Sequence, residues 1–156
     1  LINRKEKGSF EAGFLMGIAF EGDGRVVLSD DFNNDGQQDL VLVEVRSDRN
    51  GNAFQTLRVF ANRVETSNHW IGVKLRERGP HFSPIGASVI IETSTGEQID
   101  TIVTGDSLYS QHSCTAHFGL GKNDSVKSVE VRWANGATNK LEYPEIDTYH
   151  LVDPPK

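Results

Sequence analysis

Asp31-Phe32-Asn33-Asn34-Asp35-Gly36-Gln37-Gln38-Asp39-Leu40 runs directly into Val41-Leu42-Val43-Glu44-Val45. The first part places oxygen-bearing side chains at alternate positions and breaks the run with a glycine. The second part is apolar at nearly every position, as in a strand buried on both faces. Calcium is a hard cation that takes six to eight oxygens at roughly 2.3–2.6 Å. Asp31, Asn33 and Asp35 offer side-chain oxygens, Gln37 a backbone carbonyl, and Asp39 a further carboxylate. Gly36 stands at the sharp turn, where positive φ costs glycine nothing. The spacing follows the first nine positions of an EF-hand loop, but Leu42 stands where that loop needs a bidentate glutamate. The exit is strand-like and not an amphipathic helix. A calcium loop in a β context is therefore expected, with Asp31, Asn33, Asp35, Gln37 and Asp39 as ligands. The competing reading is a polar turn, since Asn, Asp and Gly dominate turns without any metal.

The chain has 156 residues, which suits one or two small domains. Its apolar share of 37% is low but sufficient for a core, and its net charge is −6. That charge argues against nucleic acid, which needs clustered Lys and Arg, and against an anionic membrane surface. No apolar run approaches the ~18 residues of a membrane span. The chain starts at Leu1 without a leader-like segment and reads as part of something longer. The single cysteine, Cys114, excludes an internal disulfide. That favours the cytosol, whereas a calcium loop favours export; the calcium loop is given more weight, and an extracellular or periplasmic location is expected.

Read in order, Leu1-Ile-Asn-Arg4 and Gly8-Ser-Phe10 form a strand end, a turn and an aromatic anchor. Gly13 to Phe20 is apolar but too rich in glycine for a helix. Arg25 to Ser29, Leu40 to Val45 and Phe54 to Phe60 give a meander, with Asp48 to Asn52 as hairpin loop. Asn62 to Asn68 is polar and aperiodic and marks a boundary, giving segments 1–66 and 67–156. Beyond it, Ile71, Val73 and Leu75 alternate with polar positions in a half-buried strand. Ala87 to Thr104 reads as a hairpin, His117-Phe-Gly-Leu-Gly121 as a tight turn, and Val126 to Trp133 as a strand. Asn135-Gly136 is a hairpin turn, and Leu141 with His150 to Val152 closes the sheet. No long 3.6-residue period occurs, so the fold class is all-β: an antiparallel, sandwich-like second domain behind a meander.

The first 60 residues resemble one FG-GAP/VCBS repeat, through Leu1-Ile-Asn-Arg4, Gly8-Ser-Phe10 and the Asp31–Leu40 loop. The resemblance implies a β-propeller blade whose loop binds calcium. A single copy cannot close a propeller, which needs about four blades, so a terminal blade is expected. The second segment resembles the ASPIC/UnbV domain. The markers are Asn68-His69-Trp70, Pro84-Ile85-Gly86-Ala87, Ser107-Leu-Tyr-Ser-Gln111, His117-Phe-Gly-Leu-Gly121 and Val129-Glu-Val-Arg-Trp133. Ala134-Asn135 departs from the Pro-Ser expected there. The resemblance implies an exported protein in which such a domain follows propeller repeats.

Three functional expectations follow. The first is a non-catalytic extracellular binding or adhesion module that takes a protein or carbohydrate partner. The second is a hydrolase built on Ser110, His112 and Cys114, which share a face if extended, with His69, His81, His117 and Asp106 as further candidates. No nucleophile elbow supports it, and a zinc site on His112 and His117 lacks a third ligand. Cys114 reads more simply as a half-buried thiol, and Trp70 and Trp133 as core and not sugar platforms. The third is a cap on an open propeller edge. A fragment with uncovered blade faces is also expected to dimerise.

Overall fold

The computed structural model describes residues 2–3, 8–19, 22–79, 83–105 and 108–155. It is all-β, with no helix among the described residues. In chain order the strands are β1 (Ile2–Asn3), β2 (Ser9–Phe10), β3 (Asp23–Asp30), β4 (Asp39–Ser47), β5 (Ala53–Phe60) and β6 (His69–Leu75). They continue with β7 (Ser88–Thr93), β8 (Gly96–Thr101), β9 (Thr115–Gly121), β10 (Ser128–Arg132), β11 (Thr138–Glu142) and β12 (Tyr149–Val152). Strands β3, β4 and β5 pair in that order as an antiparallel meander, and none pairs with a later strand. The Asp48–Asn52 turn closes its second hairpin. Asp48 Oδ1 accepts the amides of Asn50 and Asn52, and Gly51 adopts φ 83°.

Residues 69–152 build two sheets, ordered β11-β10-β7-β8 and β12-β6-β9. Their inward positions merge into one core. Ile71, Val73 and Leu75 come from β6, Ala116, Phe118 and Leu120 from β9, Val89 and Ile91 from β7, and Val129 and Val131 from β10. Period-two alternation delivers this: odd positions of β6 and even positions of β9 face inward. Trp133 closes one end of the core at 3% exposure, its Nε1 donating to Asn139 Oδ1. The Asn135-Gly136 turn forms as the sequence indicates, with Trp133 N donating to Ala137 O at 2.8 Å.

Three differences from the sequence reading are informative. The stretch His117 to Gly121 is strand β9, not a turn, and its glycines sit within an antiparallel ladder against β6. Strand β12 runs parallel to β6, so this sheet is mixed. Strand β4 is not buried on both faces. Leu40 to Val43 and Val45 are only half-buried, and Val27, Leu57 and Val59 on the flanking strands are about half to two-thirds exposed. The apolar run is real, but a three-stranded sheet has too few neighbours to cover it. Glu44 is the buried member of the run, its carboxylate held by Arg58 at 2.8 and 2.9 Å. The expected turn at Arg4 and the residues Phe20, Glu21, Pro80, His81, Asp106 and Ser107 lie outside the described residues.

Candidate functional site

The acidic loop connects β3 to β4 and is wound by its own side chains. Asp31 is nearly buried, with Oδ1 accepting Asp35 N at 3.0 Å and Oδ2 accepting Gly36 N at 2.7 Å. Asn33 Oδ1 accepts Asp35 N, Asp35 Oδ1 accepts Gln37 N, and Asn33 Nδ2 donates to Asp35 Oδ2 at 2.7 Å. These short-range bonds are the local turns that Asn and Asp favour. Asn34 at φ 59° and Gly36 at φ 86° supply the left-handed backbone. Asp39, 2% exposed, closes the loop: Oδ2 accepts Phe32 N at 3.1 Å, and Oδ1 accepts Asn62 N at 2.7 Å. Asp39 thus ties the loop to the segment that leads into β6.

Residues 32–35 of the loop are exposed, but the loop is anchored to the rest of the chain. It lies on the outer face of the β12-β6-β9 sheet, the face opposite the core. On that face Trp70 stacks on His117, with ring centroids 5.3 Å apart and planes 10° from parallel. The Tyr149 ring sits 4.7 Å from Trp70. Gly72 makes room for it, since a Cβ there would lie 2.1 Å from the Tyr149 ring. Three contacts then fasten the loop. Tyr149 OH donates to Asp31 Oδ2 at 2.6 Å, His117 Nε2 lies 3.1 Å from the Gly36 carbonyl, and Lys74 Nζ donates to Asn34 Oδ1 at 2.8 Å. Lys74 Nζ also stands 4.0 Å above the Tyr149 ring centre, a favourable cation–π position. Gly36 itself presses on the indole, where an added Cβ would lie 2.0 Å from Trp70 Nε1.

The environment shifts two of these groups. Burial lowers the His117 pKa below its ordinary value, opposed by the Gly36 carbonyl and the carboxylates of Asp31 and Asp30. Burial, and then the hydrogen bond to Asp31, push the Tyr149 phenol well above its usual range, so it stays a donor. Trp70, Lys74, His117 and Tyr149 were not grouped by sequence reasoning. A signal existed: on β6 and β9 the outward positions Trp70, Lys74 and His117 are large and amphipathic. Tyr149 lies 118 residues from Asp31, a pairing no local pattern announces.

The donor chemistry of the loop suits a hard divalent cation, with three carboxylates, one amide oxygen and the Gln37 carbonyl in nine residues. Among the described residues no three His, Cys, Asp or Glu side chains converge as a metal-binding group. An ion here would depend on the mixed oxygen set, including Asn33 and backbone carbonyl, and not on carboxylates alone. The residues fit in chemical type, and the left-handed turns that an oxygen cage requires are already present.

The candidate hydrolase residues that fall within the described part of the chain are Ser110, His112, Cys114, His69 and His117. His112 Nδ1 lies 3.2 Å from the Ser29 carbonyl. Ser110 Oγ is buried with no hydrogen-bond partner among the described residues. Cys114 is half-buried against the core, and burial, then the charge of Glu77, raise its thiol pKa, the reverse of nucleophile activation. His69 Nδ1 pairs with Asp147 Oδ2 at 2.7 Å, and Trp70 N donates to Asp147 Oδ1 at 3.1 Å. No hydrogen bond joins Ser110, His112 and Cys114 among the described residues, and His117 serves the loop contact. No helix among the described residues is long and apolar enough to cross a membrane.

A family model described as "ASPIC and UnbV" matches residues 78–156. The chain is 36% identical over 117 residues to cartilage acidic protein 1 of Mus musculus, a match covering 74% of this chain and 17% of that protein. The Homo sapiens protein of the same name gives the same figures. The Xenopus tropicalis protein is 35% identical over 139 residues, 86% of this chain and 20% of its own length. The chain therefore spans about a fifth of the relatives it matches. These matches are longer than the 79 residues of the family model (156 − 78 + 1), so the likeness extends into the segment that carries the acidic loop.

Proposed function

The chain belongs to the ASPIC and UnbV family, and from that premise we propose that it is a non-catalytic, exported binding module. In this reading the acidic loop is a calcium-stabilised joint between the meander and the sandwich. The observation that carries the proposal is the loop's position. Its Asp31 and Gly36 are fastened to Tyr149, His117 and Trp70 across the sequence boundary. Calcium would be held by Asp31, Asn33, Asp35, the Gln37 carbonyl and Asp39, and would supply the charge balance that three neighbouring carboxylates need. Residues 1–66 would then be a blade-like repeat of the FG-GAP/VCBS kind, and residues 67–156 the ASPIC/UnbV domain.

A protein or carbohydrate partner fits a module of this type better than nucleic acid, given the net charge of −6. The half-exposed apolar strands β3 to β5 support self-association of the isolated segment. Sedimentation velocity tests this, and a single monomeric species at high concentration contradicts it. Terbium tests the ion site, because Trp70 packs on Gly36 and is placed to sensitise a lanthanide held in the loop. Emission excited through tryptophan should rise with terbium, fall when calcium is added, and be lost in Asp35→Ala. Emission that calcium does not displace would count against the loop as a calcium site.

A further inference from the structure

A cavity of about 260 Å³ lies where the end of β3 meets the end of β8 and the start of β9. Asp30 and Gln38 line it from the loop side, and Asp100, Thr101, His112 and His117 line it from the sandwich side. Asp100 and Thr101 are exposed, so the cavity is open to solvent on that side. The cavity borders the loop, since Asp30 accepts the Asp31 amide and His117 also meets the Gly36 carbonyl, but none of Asp31, Asp35 and Asp39 lines it.

Its chemistry is one-sided. Asp30 Oδ1 accepts Asp31 N at 2.9 Å, and Asp100 Oδ1 accepts Thr101 N at 2.8 Å. The other oxygen of each carboxylate makes no hydrogen bond or ion pair among the described residues. No Lys or Arg lines the cavity. Burial holds His117 toward its neutral form, opposed by the Gly36 carbonyl that its ring faces, and the His112 ring faces the Ser29 carbonyl. An anion would meet two carboxylates and no Lys or Arg. A saccharide would find no stacking surface, because no Trp, Tyr or Phe lines the cavity; Trp70 is under the loop and Trp133 is in the core. A planar or compact organic cation, by contrast, meets two carboxylates with acceptor capacity to spare, and guanidinium geometry matches carboxylates well.

We infer that this cavity binds an organic cation, a guanidinium or primary ammonium group, held by Asp30 and Asp100. The inference deepens the binding-module reading and rests on it. The group comes either from a free amine or from a basic side chain of a protein partner.

The test is a titration of the ¹⁵N-labelled chain, followed by NMR both in EDTA and in millimolar calcium, so that the state of the loop is controlled. The probes are agmatine, an acetylated and amidated Gly-Arg-Gly peptide, and methyl α-glucoside as a neutral polyol. Saturable shifts at Asp30, Asp100, His112 and His117 with a cationic probe, weakened about tenfold or more in Asp30→Asn and in Asp100→Asn, support the inference. Both substitutions keep an oxygen that accepts the backbone amide, so folding is preserved and only the charge is removed. Binding of the peptide as tight as that of agmatine identifies a protein side chain as the source, and binding of agmatine alone identifies a free amine. No saturable shift with either cation, equal binding by the Asn variants, or binding of the glucoside instead would overturn it.

Discussion

At Gly36 an added methyl group would lie 2.0 Å from Trp70 Nε1, and the backbone already sits at φ 86°. Gly36→Ala combines left-handed strain with a clash against a packed ring, and is expected to cost about 1–3 kcal/mol. Urea unfolding measures this, and an unchanged midpoint would mean that the loop does not rest on the indole. Tyr149→Phe removes a single hydroxyl whose partner is a carboxylate, with an expected cost of about 1–2 kcal/mol for a half-buried bond. His117 gives the joint a pH dependence. Its folded pKa is lowered by burial, so the unfolded chain binds the proton more readily and stability rises with pH. The His117 contribution is fully present above the ordinary histidine range, about pH 6.5, and is lost as pH falls below it. Urea midpoints at pH 7.5 and pH 5.5 should therefore differ less in His117→Gln than in the parent. The residues of the loop were readable from their spacing alone, because Asx turns and left-handed glycine are local chemistry. Trp70, Lys74, His117 and Tyr149 were not grouped, because what unites them is the register Gly72↔His117 and Gly72↔Tyr149 between strands far apart in sequence.

Among the elements, β4 and β7 have similar apolar sequences and different fates. Ile91 on β7 is fully buried between two sheets, whereas Leu57, paired with Val43 of β4, is 65% exposed. Ile91→Ala should cost about 2–5 kcal/mol through lost burial and a cavity. Leu57→Ala should stay within about 0.5 kcal/mol. Chemical denaturation of the two variants reads the contrast, and comparable losses would show that the meander face is covered in solution. Strand positions and hairpin turns were legible because alternation and Asn-Gly chemistry act over a few residues. The cover over β4 was not, since an apolar run specifies that a strand wants burial but not what provides it. His117 to Gly121 was misread as a turn because glycine is permissive in both settings. Gly119 lies in the β9 ladder opposite Trp70, a fact set by the partner strand.

Across the whole molecule, the loop fastens together two sets of strands that share no ladder. Meander strands β3 to β5 share no ladder with the sandwich, and the contacts of Asp31, Asn34 and Gly36 with Tyr149, Lys74 and His117 bridge them. Asp31 is at once a proposed calcium ligand and the acceptor of the Tyr149 hydroxyl. By linkage, an ion that orders this loop stabilises the docked arrangement, and the docked arrangement favours the ion. A ligand that binds only the folded state stabilises it by RT ln(1 + [L]/Kd), roughly 2.7 kcal/mol at a hundredfold excess over Kd. The measurement that tests this most directly is thermal unfolding in EDTA and in millimolar calcium, with magnesium as control. The account predicts a calcium-specific rise in melting temperature that Asp35→Ala abolishes. An identical melting temperature in EDTA and calcium would contradict it and leave the loop as a metal-free polar turn.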